Sequence, residues 1–271
     1  MSTQFELFHK EHLPKGNIRA AIFDFDGTIS TLRCGWESVM TPMMVEMIGG
    51  GRDDGELHRM VDEYIDSSTG IQTVYQMRWL AQQIREFGSN PEAHDEWWYK
   101  DEYNRRLMKD VHRRIRRIEE NREDRANYIV KGSREFLAAL RTNGVELYLA
   151  SGTDHNDVMH EAEVLGFKDC FNYIKGAPER KASCSKEAVL RMILEEKHLS
   201  GDSLLVVGDG KVEIALGAEN GAYTLGAATD EVNREGVNPV KRERLIKAGA
   251  DAIAGDFTAR DAILNWMGIQ P

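Results

Sequence analysis

The chain has 271 residues, enough for one large domain or two modest ones, and its 41% hydrophobic and 30% charged residues are ordinary for a globular protein. Its formal charge of −10, from 35 basic and 45 acidic residues, argues against a nucleic-acid or anionic-membrane partner. Residues 1–19 are polar, and no window holds the roughly 18 apolar residues of a membrane span. Three cysteines without metal-type spacing indicate reduced thiols: Cys34, Cys170 and Cys184. We therefore expect a cytoplasmic protein.

The first strong signal along the chain is the apolar run Ala20–Phe23, followed by the motif DFDGT at residues 24–28. The run predicts a buried parallel strand that ends in two acidic side chains, which a strand core would not tolerate. A turn at Gly27 would bring both carboxylates to the carboxyl end of the strand, where open α/β sheets bind ligands. A nucleophilic carboxylate, a proton-transferring carboxylate and a hard metal ion together suit phosphoryl transfer. The alternative is a helix-capping Asp beside a turn glycine.

The next segment, from about residue 33 to residue 127, contains no convincing strand, and its apolar residues recur at helical spacing. Pro42 is expected to kink or restart the first helix, because proline lacks a backbone donor. We predict an all-α cap of residues 33–127, inserted between the two parts of a core, residues 1–32 and 128–271.

In the remainder of the chain, apolar strand patterns alternate with helical patterns, which is typical of a parallel, doubly wound sheet with helices on both faces. The predicted strands are residues 145–150, 203–207, 222–225 and 252–254, and the predicted helices are residues 133–141, 157–165 and 186–197. The fold class is therefore predicted to be α/β: a doubly wound, mainly parallel core with an inserted all-α cap.

The segment Ser151-Gly152-Thr153-Asp154 follows a predicted strand and is expected to open a helix. A hydroxyl and free backbone N–H groups at a helix N-terminus suit a phosphate, although an ordinary N-cap has the same sequence. A serine hydrolase with His155 as the base is not favoured. The glycine pattern is not that of a nucleophile elbow, and a base only four residues away is poorly placed.

Lys186 is predicted to lie in the first turn of a helix, where its charge opposes the helix dipole. There its ammonium group would hold a carboxylate nucleophile and a transferring phosphoryl group together. The alternative is a surface lysine, and Lys181 and Lys175 are rivals for the role.

A second acidic strand end occurs in the motif GDGKVE at residues 208–213. Asp24 and Asp209 would supply two hard oxygen ligands, and a backbone carbonyl, a phosphate oxygen and waters would complete the octahedron that Mg²⁺ demands. Glu213 is expected to bind through water or to orient Lys186.

Together, DFDGT, ASGT, the downstream lysine and GDGKVE resemble the four ordered motifs of the haloacid dehalogenase-like superfamily. The resemblance covers the whole core and implies a Rossmann-like domain with a Mg²⁺-dependent aspartyl-phosphate intermediate. It implies these roles: Asp24 as nucleophile, Asp26 as general acid/base, Ser151 and Lys186 as phosphate binders, and Asp24, Asp209 and the Asp26 carbonyl as metal ligands. We also expect Gly27, Thr28 and Gly152 to contact the phosphoryl group.

The position of the cap resembles class I of this superfamily, in which a helical cap lies between the first and second motifs. The second Asp of DFDGT marks phosphatases and phosphotransferases rather than dehalogenases. We therefore predict a Mg²⁺-dependent phosphatase acting on a small phosphorylated metabolite. A phosphomutase acting on a sugar phosphate would share this core. A non-catalytic regulatory domain is disfavoured by the intact motifs, and a receiver-type signalling domain would lack the helical insertion.

Selectivity for the leaving group is expected in the cap, because the core motifs account only for the phosphoryl group and the metal. One candidate is the polar turn of residues 67–72, with Gln72, although an ordinary inter-helix turn has the same composition. The other is Arg33, which is expected to meet an anionic group of the substrate.

Overall fold

The computed structural model describes residues 4–9, 13–14, 16–52, 54–183 and 185–270. The strands of its sheet are Phe5–Leu7 (β1), Ala20–Phe23 (β2), Glu146–Asp154 (β3), Tyr173–Ala177 (β4), Leu204–Gly208 (β5), Tyr223–Ala227 (β6) and Ala252–Ala254 (β7). They pair in the order β1-β7-β6-β5-β2-β3-β4, and every pair is parallel except β1 with β7. The sheet therefore has the predicted mainly parallel, Rossmann-like architecture.

Helices complete the fold. Five α-helices of the described chain lie between β2 and β3: Glu37–Gly49 (α1), Gly55–Ser68 (α2), Thr73–Phe87 (α3), Glu96–Glu119 (α4) and Ser133–Thr142 (α5). The first four fall in the segment predicted to be the cap. The others are His155–Leu165 (α6), Ser185–Glu196 (α7), Lys211–Glu219 (α8), Pro239–Lys247 (α9) and Arg260–Trp266 (α10). The helical cap after the first strand is thus present.

Helices cover both faces of the sheet because alternate residues of a strand point to opposite faces. On β2, Phe23 belongs to a buried cluster that includes Phe136 of α5. Ile22 belongs instead to a second cluster with Val189 of α7. The first cluster continues into the cap, for example to Met43 of α1, so the sheet and the cap share one apolar core.

Pro42 lies inside α1, which runs through it without interruption, so the helix does not restart there, and the expected kink stays a prediction. Proline removes the N–H that would bond to the carbonyl of Ser38, four residues earlier. Ser38 is exposed, so water can satisfy that carbonyl.

The two strands that the sequence pattern missed, β1 and β4, lie at the two edges of the sheet. Both are short, and β4 contains the strand-unfavourable Lys175 and Gly176. The predicted domain boundaries fall between β2 and α1 and within the 3-10 turn Arg125–Tyr128, and the division into two domains stays a prediction.

Two predictions from composition also have outcomes in the structure. Within the described ranges, no helix combines the length and apolarity needed to cross a bilayer. Cys34 and Cys170 form no disulfide, and Cys184 lies outside the described residues.

Candidate active site

The carboxyl ends of β2, β3 and β5 face the cap across a cavity of about 120 Å³. From the core, its wall includes Asp24, Asp26, Ser151, Lys186 and Asp209. From the cap side, it includes Trp36, Met40, Ile71, Tyr103 and Leu107. The side chains predicted to carry the chemistry therefore meet beside one cavity, and the opposite wall is largely apolar.

Asp24 lies at the centre of a buried ion-pair network. The Nζ of Lys186 donates to Asp24 Oδ2 at 3.0 Å and to Glu213 Oε2 at 2.8 Å. Burial raises the pKa of Asp24 well above its ordinary value, against the opposing effect of Lys186. Burial alone would lower the pKa of Lys186, but the carboxylates of Asp24 and Glu213 outweigh it and hold that pKa high. Lys186 is thus a fixed cation beside Asp24.

Asp26 occupies a different environment from Asp24. Its Oδ2 accepts a hydrogen bond of 2.8 Å from Thr153 Oγ1, whereas its buried Oδ1 has no hydrogen-bond partner among the described residues. Burial raises the pKa of Asp26 to about 7, even though Arg33 and the Thr153 hydrogen bond lower it. A carboxyl group with this pKa can both give and take a proton near neutrality.

Gly27 makes the turn that joins the two motif aspartates to the rest of the site. Its φ is +72°, and a Cβ on it would lie 2.2 Å from Asp209 Oδ2, so only glycine fits this close approach. The neighbouring Thr28 is fully buried and does not line the cavity, so its side chain is not placed to meet the predicted phosphate.

A buried lysine that the sequence analysis did not select, Lys241 of α9, completes this region. Its Nζ donates to Asp209 Oδ2 at 2.7 Å and to Glu231 Oε1 at 2.5 Å. Burial would lower the pKa of Lys241, but the two carboxylates outweigh it and raise that pKa. Nothing local marks this lysine, because the run of residues 241–244 resembles an exposed charged helix face.

The donor set fits a hard divalent cation. Asp24, Asp209 and Glu213 each offer an oxygen within 4.8 Å of the others. Both Glu213 oxygens are engaged, by Lys186 and by the backbone N–H of Gly210 at 2.6 Å. Asp24 and Asp209 each use only Oδ2 in hydrogen bonds with described residues, so each keeps an oxygen for a metal. Carboxylate oxygens are the ligands that Mg²⁺ prefers, and Glu213 is better placed to orient Lys186 than to bind the ion.

The segment of residues 151–154 belongs to a strand, whereas the sequence predicted that it opens a helix. β3 continues to Asp154 and α6 begins only at His155, so Ser151 is not at the helix N-terminus. Ser151 and Gly152 nonetheless line the cavity, and Ser151 Oγ accepts a bond of 3.0 Å from the Thr153 N–H. His155 accepts a hydrogen bond from the backbone of Gly176 and is absent from the cavity wall, which gives no support to a serine hydrolase.

Arg33 lines the cavity, but its guanidinium group is already surrounded by carboxylates. Its Nη2 lies 2.6 Å from Glu161 Oε1 and 3.3 Å from Asp157 Oδ2, and its Nε lies 3.8 Å from Asp26 Oδ1. The structure therefore gives Arg33 protein carboxylates as partners, where the sequence suggested an anionic group of the substrate. Two of these partners, Asp157 and Glu161, could not be found from sequence, because they lie more than 120 residues away on α6.

Gln72 ties the cap to the core and does not line the cavity. Its Oε1 accepts a hydrogen bond of 2.9 Å from the backbone N–H of Ser183, just before α7. In the same turn, Gly70 has a φ of +92°, and a Cβ there would lie 3.3 Å from the Cα of Gly210. The predicted turn of residues 67–72 thus packs against the GDGKVE motif of residues 208–213. Its residues Thr69, Gly70 and Ile71 line the cavity.

Of the rival lysines, Lys181 is exposed and Lys175 lies on β4, whereas Lys186 contacts Asp24. The useful residue that the motifs did contain, and that the sequence analysis left unassigned, is Thr153, the third residue of Ser-Gly-Thr.

Comparisons with known proteins identify the family. The family model for haloacid dehalogenase-like hydrolases matches residues 18–221. A search of curated proteins found no match.

Solved structures share the fold at low sequence identity. A predicted phosphoglycolate phosphatase from Haemophilus somnus is 15% identical, with a TM-score of 0.58 over 91% of this chain and 97% of that one. The β-phosphoglucomutase from Clostridium difficile is 18% identical, with a TM-score of 0.61 over 93% and 97%. CbbY from Rhodobacter sphaeroides, in complex with xylulose-1,5-bisphosphate, is 16% identical, with a TM-score of 0.52 over 89% and 95%. The family model covers more than half of the length of this chain, so the chain belongs to the haloacid dehalogenase-like hydrolases.

Proposed function

We propose that the protein is a Mg²⁺-dependent phosphatase that hydrolyses a small organic phosphomonoester through an aspartyl-phosphate on Asp24. The observation that carries the proposal is the placement of two different carboxyl groups at one cavity. Asp24 accepts a hydrogen bond from the cation of Lys186, whereas Asp26 accepts one from the Thr153 hydroxyl and lies 3.8 Å from Arg33, whose charge is shared with Glu161 and Asp157. The two roles that phosphoryl transfer requires, nucleophile and proton carrier, thus have separate environments.

In the first step, an Asp24 oxygen attacks phosphorus while the bond from phosphorus to the leaving oxygen breaks. Asp26 gives its proton to that oxygen, and the alcohol leaves. In the second step, water attacks the phosphorus of the aspartyl-phosphate and Asp26 takes back a proton, which releases phosphate and restores Asp24. The Asp26 pKa of about 7 suits both transfers near neutral pH.

Positive charge stabilises the phosphoryl oxygens in the transition state. Lys186 is the protein's own fixed cation beside the nucleophile, and Ser151 and Gly152 border the same space. Asp24, Asp209 and the Asp26 carbonyl would hold Mg²⁺, which supplies further charge stabilisation of the transferring group when bound.

A phosphomutase with the same core is the second enzyme candidate. A mutase that works through a phosphoenzyme passes through a doubly phosphorylated intermediate and needs a cationic site for the second phosphate. Among the described residues of the cavity wall, the cations are Lys186 and Arg33, and each already contacts at least two carboxylates. This arrangement favours the phosphatase.

The proposal is tested by phosphate release from a panel of small monophosphates and from p-nitrophenyl phosphate, with Mg²⁺ and with excess chelator. We expect Mg²⁺-dependent release by the wild-type protein, and none by a folded Asp24→Asn variant. Release that persists in chelator, or in Asp24→Asn, would overturn the metal or the nucleophile assignment respectively. Stoichiometric return of the phosphoryl group to sugar would identify the mutase.

A further inference from the structure

The cavity also carries information about the leaving group, and the inference drawn from it rests on the proposed phosphatase function. The space of about 120 Å³ is slightly smaller than the 150 Å³ or so of an engineered cavity that holds benzene. A phosphoryl group with a small organic leaving group suits a cavity of this size.

The two cations on the cavity wall are not available to a second anionic group. Lys186 is shared by Asp24 and Glu213. Arg33 faces Glu161, Asp157 and Asp26 within 3.8 Å, so carboxylates outnumber the guanidinium around it. A substrate carboxylate approaching Arg33 would also meet the field of Glu161 and Asp157, which opposes its attraction to the guanidinium group.

The other charged side chains at the cavity wall add negative charge. Asp209 and Glu231 both line the cavity, and both are bonded to Lys241. The described cavity wall therefore holds more carboxylates (Asp24, Asp26, Asp209 and Glu231) than cations (Lys186 and Arg33), and both cations already contact protein carboxylates.

Apart from Arg33, the cap residues that line the cavity are neutral in the part of the chain that the structure describes. The apolar members are Trp36, Met40, Ile71, Tyr103 and Leu107. The polar members near them are partly engaged within the cap: Gln76 Nε2 donates to Ser68 Oγ at 3.1 Å, and the Thr69 hydroxyl donates to the Ile65 carbonyl at 3.0 Å. A buried anion here would lose its hydration and gain no cation.

We propose that the physiological leaving group is an uncharged alcohol of a few carbon atoms, and that the site rejects phosphomonoesters bearing a carboxylate or a second phosphate. A charged leaving group would be repelled by the carboxylates and would be buried without a cation to pair with. An uncharged leaving group would gain apolar contacts with the cap. Arg33 would then shape the environment of Asp26 and would not bind substrate directly.

The test compares two substrates that match in heavy atoms and differ in charge, 2-phosphoglycolate and its amide, 2-phosphoglycolamide. We expect kcat/KM for the amide to exceed that for the carboxylate by about tenfold or more, because like charges across a binding site are strongly disfavoured. p-Nitrophenyl phosphate, measured in parallel, reports whether the phosphatase chemistry itself is present.

Two variants connect that preference to the cavity wall. Ile71→Lys places a cation on the partly exposed cap turn and should reduce the preference for the amide about tenfold, while the neutral control Ile71→Met should keep it. Asp157→Asn removes one of the charges opposing Arg33 and should reduce the preference by a smaller factor.

The outcomes separate the two proposals. Equal or faster hydrolysis of 2-phosphoglycolate, with normal turnover of p-nitrophenyl phosphate, would overturn the charge selection and leave the phosphatase in place. An unchanged preference in a folded Ile71→Lys variant would likewise overturn it. No phosphate release from any of the three esters would overturn both.

Discussion

The two ends of the cavity are built on opposite principles. At the core end, buried charges are paired with one another: Lys186 with Asp24 and Glu213, and Lys241 with Asp209 and Glu231. At the cap end, apart from Arg33, the described wall is made of neutral and mostly apolar side chains. Buried ion pairs add little to stability compared with apolar packing, so the core network is better explained by chemistry than by folding.

The contrast indicates how one family core can serve many substrates. The core end fixes charge around a phosphoryl group, and it does so with side chains held by two or more contacts each. We propose that the cap end selects the leaving group by its size and its charge, because no cation on the described cavity wall is free of carboxylates. Each substitution below alters one end of the cavity and leaves the other end unchanged for comparison. The largest expected effect comes first.

Removing the proton carrier should affect substrates according to their leaving groups. We expect Asp26→Asn to lower kcat/KM for alkyl phosphates by about 10³-fold, and for p-nitrophenyl phosphate far less, because nitrophenolate leaves without protonation. Steady-state kinetics on both ester classes measure the difference, with thermal unfolding as the check on folding. Equal losses on both classes would assign Asp26 a structural role.

Removing Lys241 should destabilise the fold, because Lys241 neutralises charge on two buried carboxylates. We expect Lys241→Met to lower the free energy of unfolding without metal by about 3 kcal/mol, since Asp209 and Glu231 then lose their buried partner. Saturating Mg²⁺ should recover part of that loss, because the ion supplies charge to Asp209.

Urea unfolding with and without Mg²⁺ measures both effects. Lys247→Met is the matched control, because Lys247 lies on the same helix and is exposed. Lys241 would not neutralise Asp209 and Glu231 if its replacement lowered the free energy of unfolding no more than the control does, or if Mg²⁺ left that loss unchanged.

Thr153 should affect catalysis only through its hydrogen bond to Asp26. Thr153→Val removes the 2.8 Å hydrogen bond to Asp26 Oδ2, and we expect kcat/KM for alkyl phosphates to fall about tenfold. The loss on p-nitrophenyl phosphate should be smaller, and Thr153→Ser, which keeps the hydroxyl, should restore most of the activity. A loss that is the same for alkyl and aryl esters, or that serine does not rescue, would contradict this positioning role.

The smallest effect is expected at the cap tether. Gln72→Ala removes one hydrogen bond to the Ser183 backbone, worth about 1 kcal/mol, and should lower kcat/KM several-fold by weakening cap closure. Because Gln72 does not line the cavity, the loss should be parallel on all esters. Gln82→Ala, at an exposed position of the same helix, is the control. A loss confined to one leaving group would place Gln72 in substrate contact.

The core end was largely predictable from the sequence because its requirements are local. The residues of DFDGT follow a buried strand, and the close approach of Gly27 to Asp209 leaves room for no other residue type. The order of strands and helices after residue 130 placed the other motif residues at the same sheet edge.

The rest depended on tertiary contacts that no local pattern records. Lys241 belongs to a charged run that would look the same on an exposed helix, and its burial follows from the way α9 packs. The carboxylates that surround Arg33 lie on α6, and the continuation of β3 past Ser151 depends on its pairing with β4. The cap was recognisable as helical, and Arg33 and part of the predicted turn of residues 67–72 line the cavity, but Tyr103 and Leu107 of α4 were not selected as cavity residues.

The most direct test of the central claim is to identify the residue that carries the phosphoryl group during turnover. The wild-type protein is mixed briefly with substrate and Mg²⁺, quenched in acid, digested and analysed by mass spectrometry. We expect one phosphoryl group on Asp24, absent from the Asp24→Asn variant and from protein treated with chelator. A phosphoryl group on a different residue, or undiminished phosphate release by folded Asp24→Asn, would contradict it.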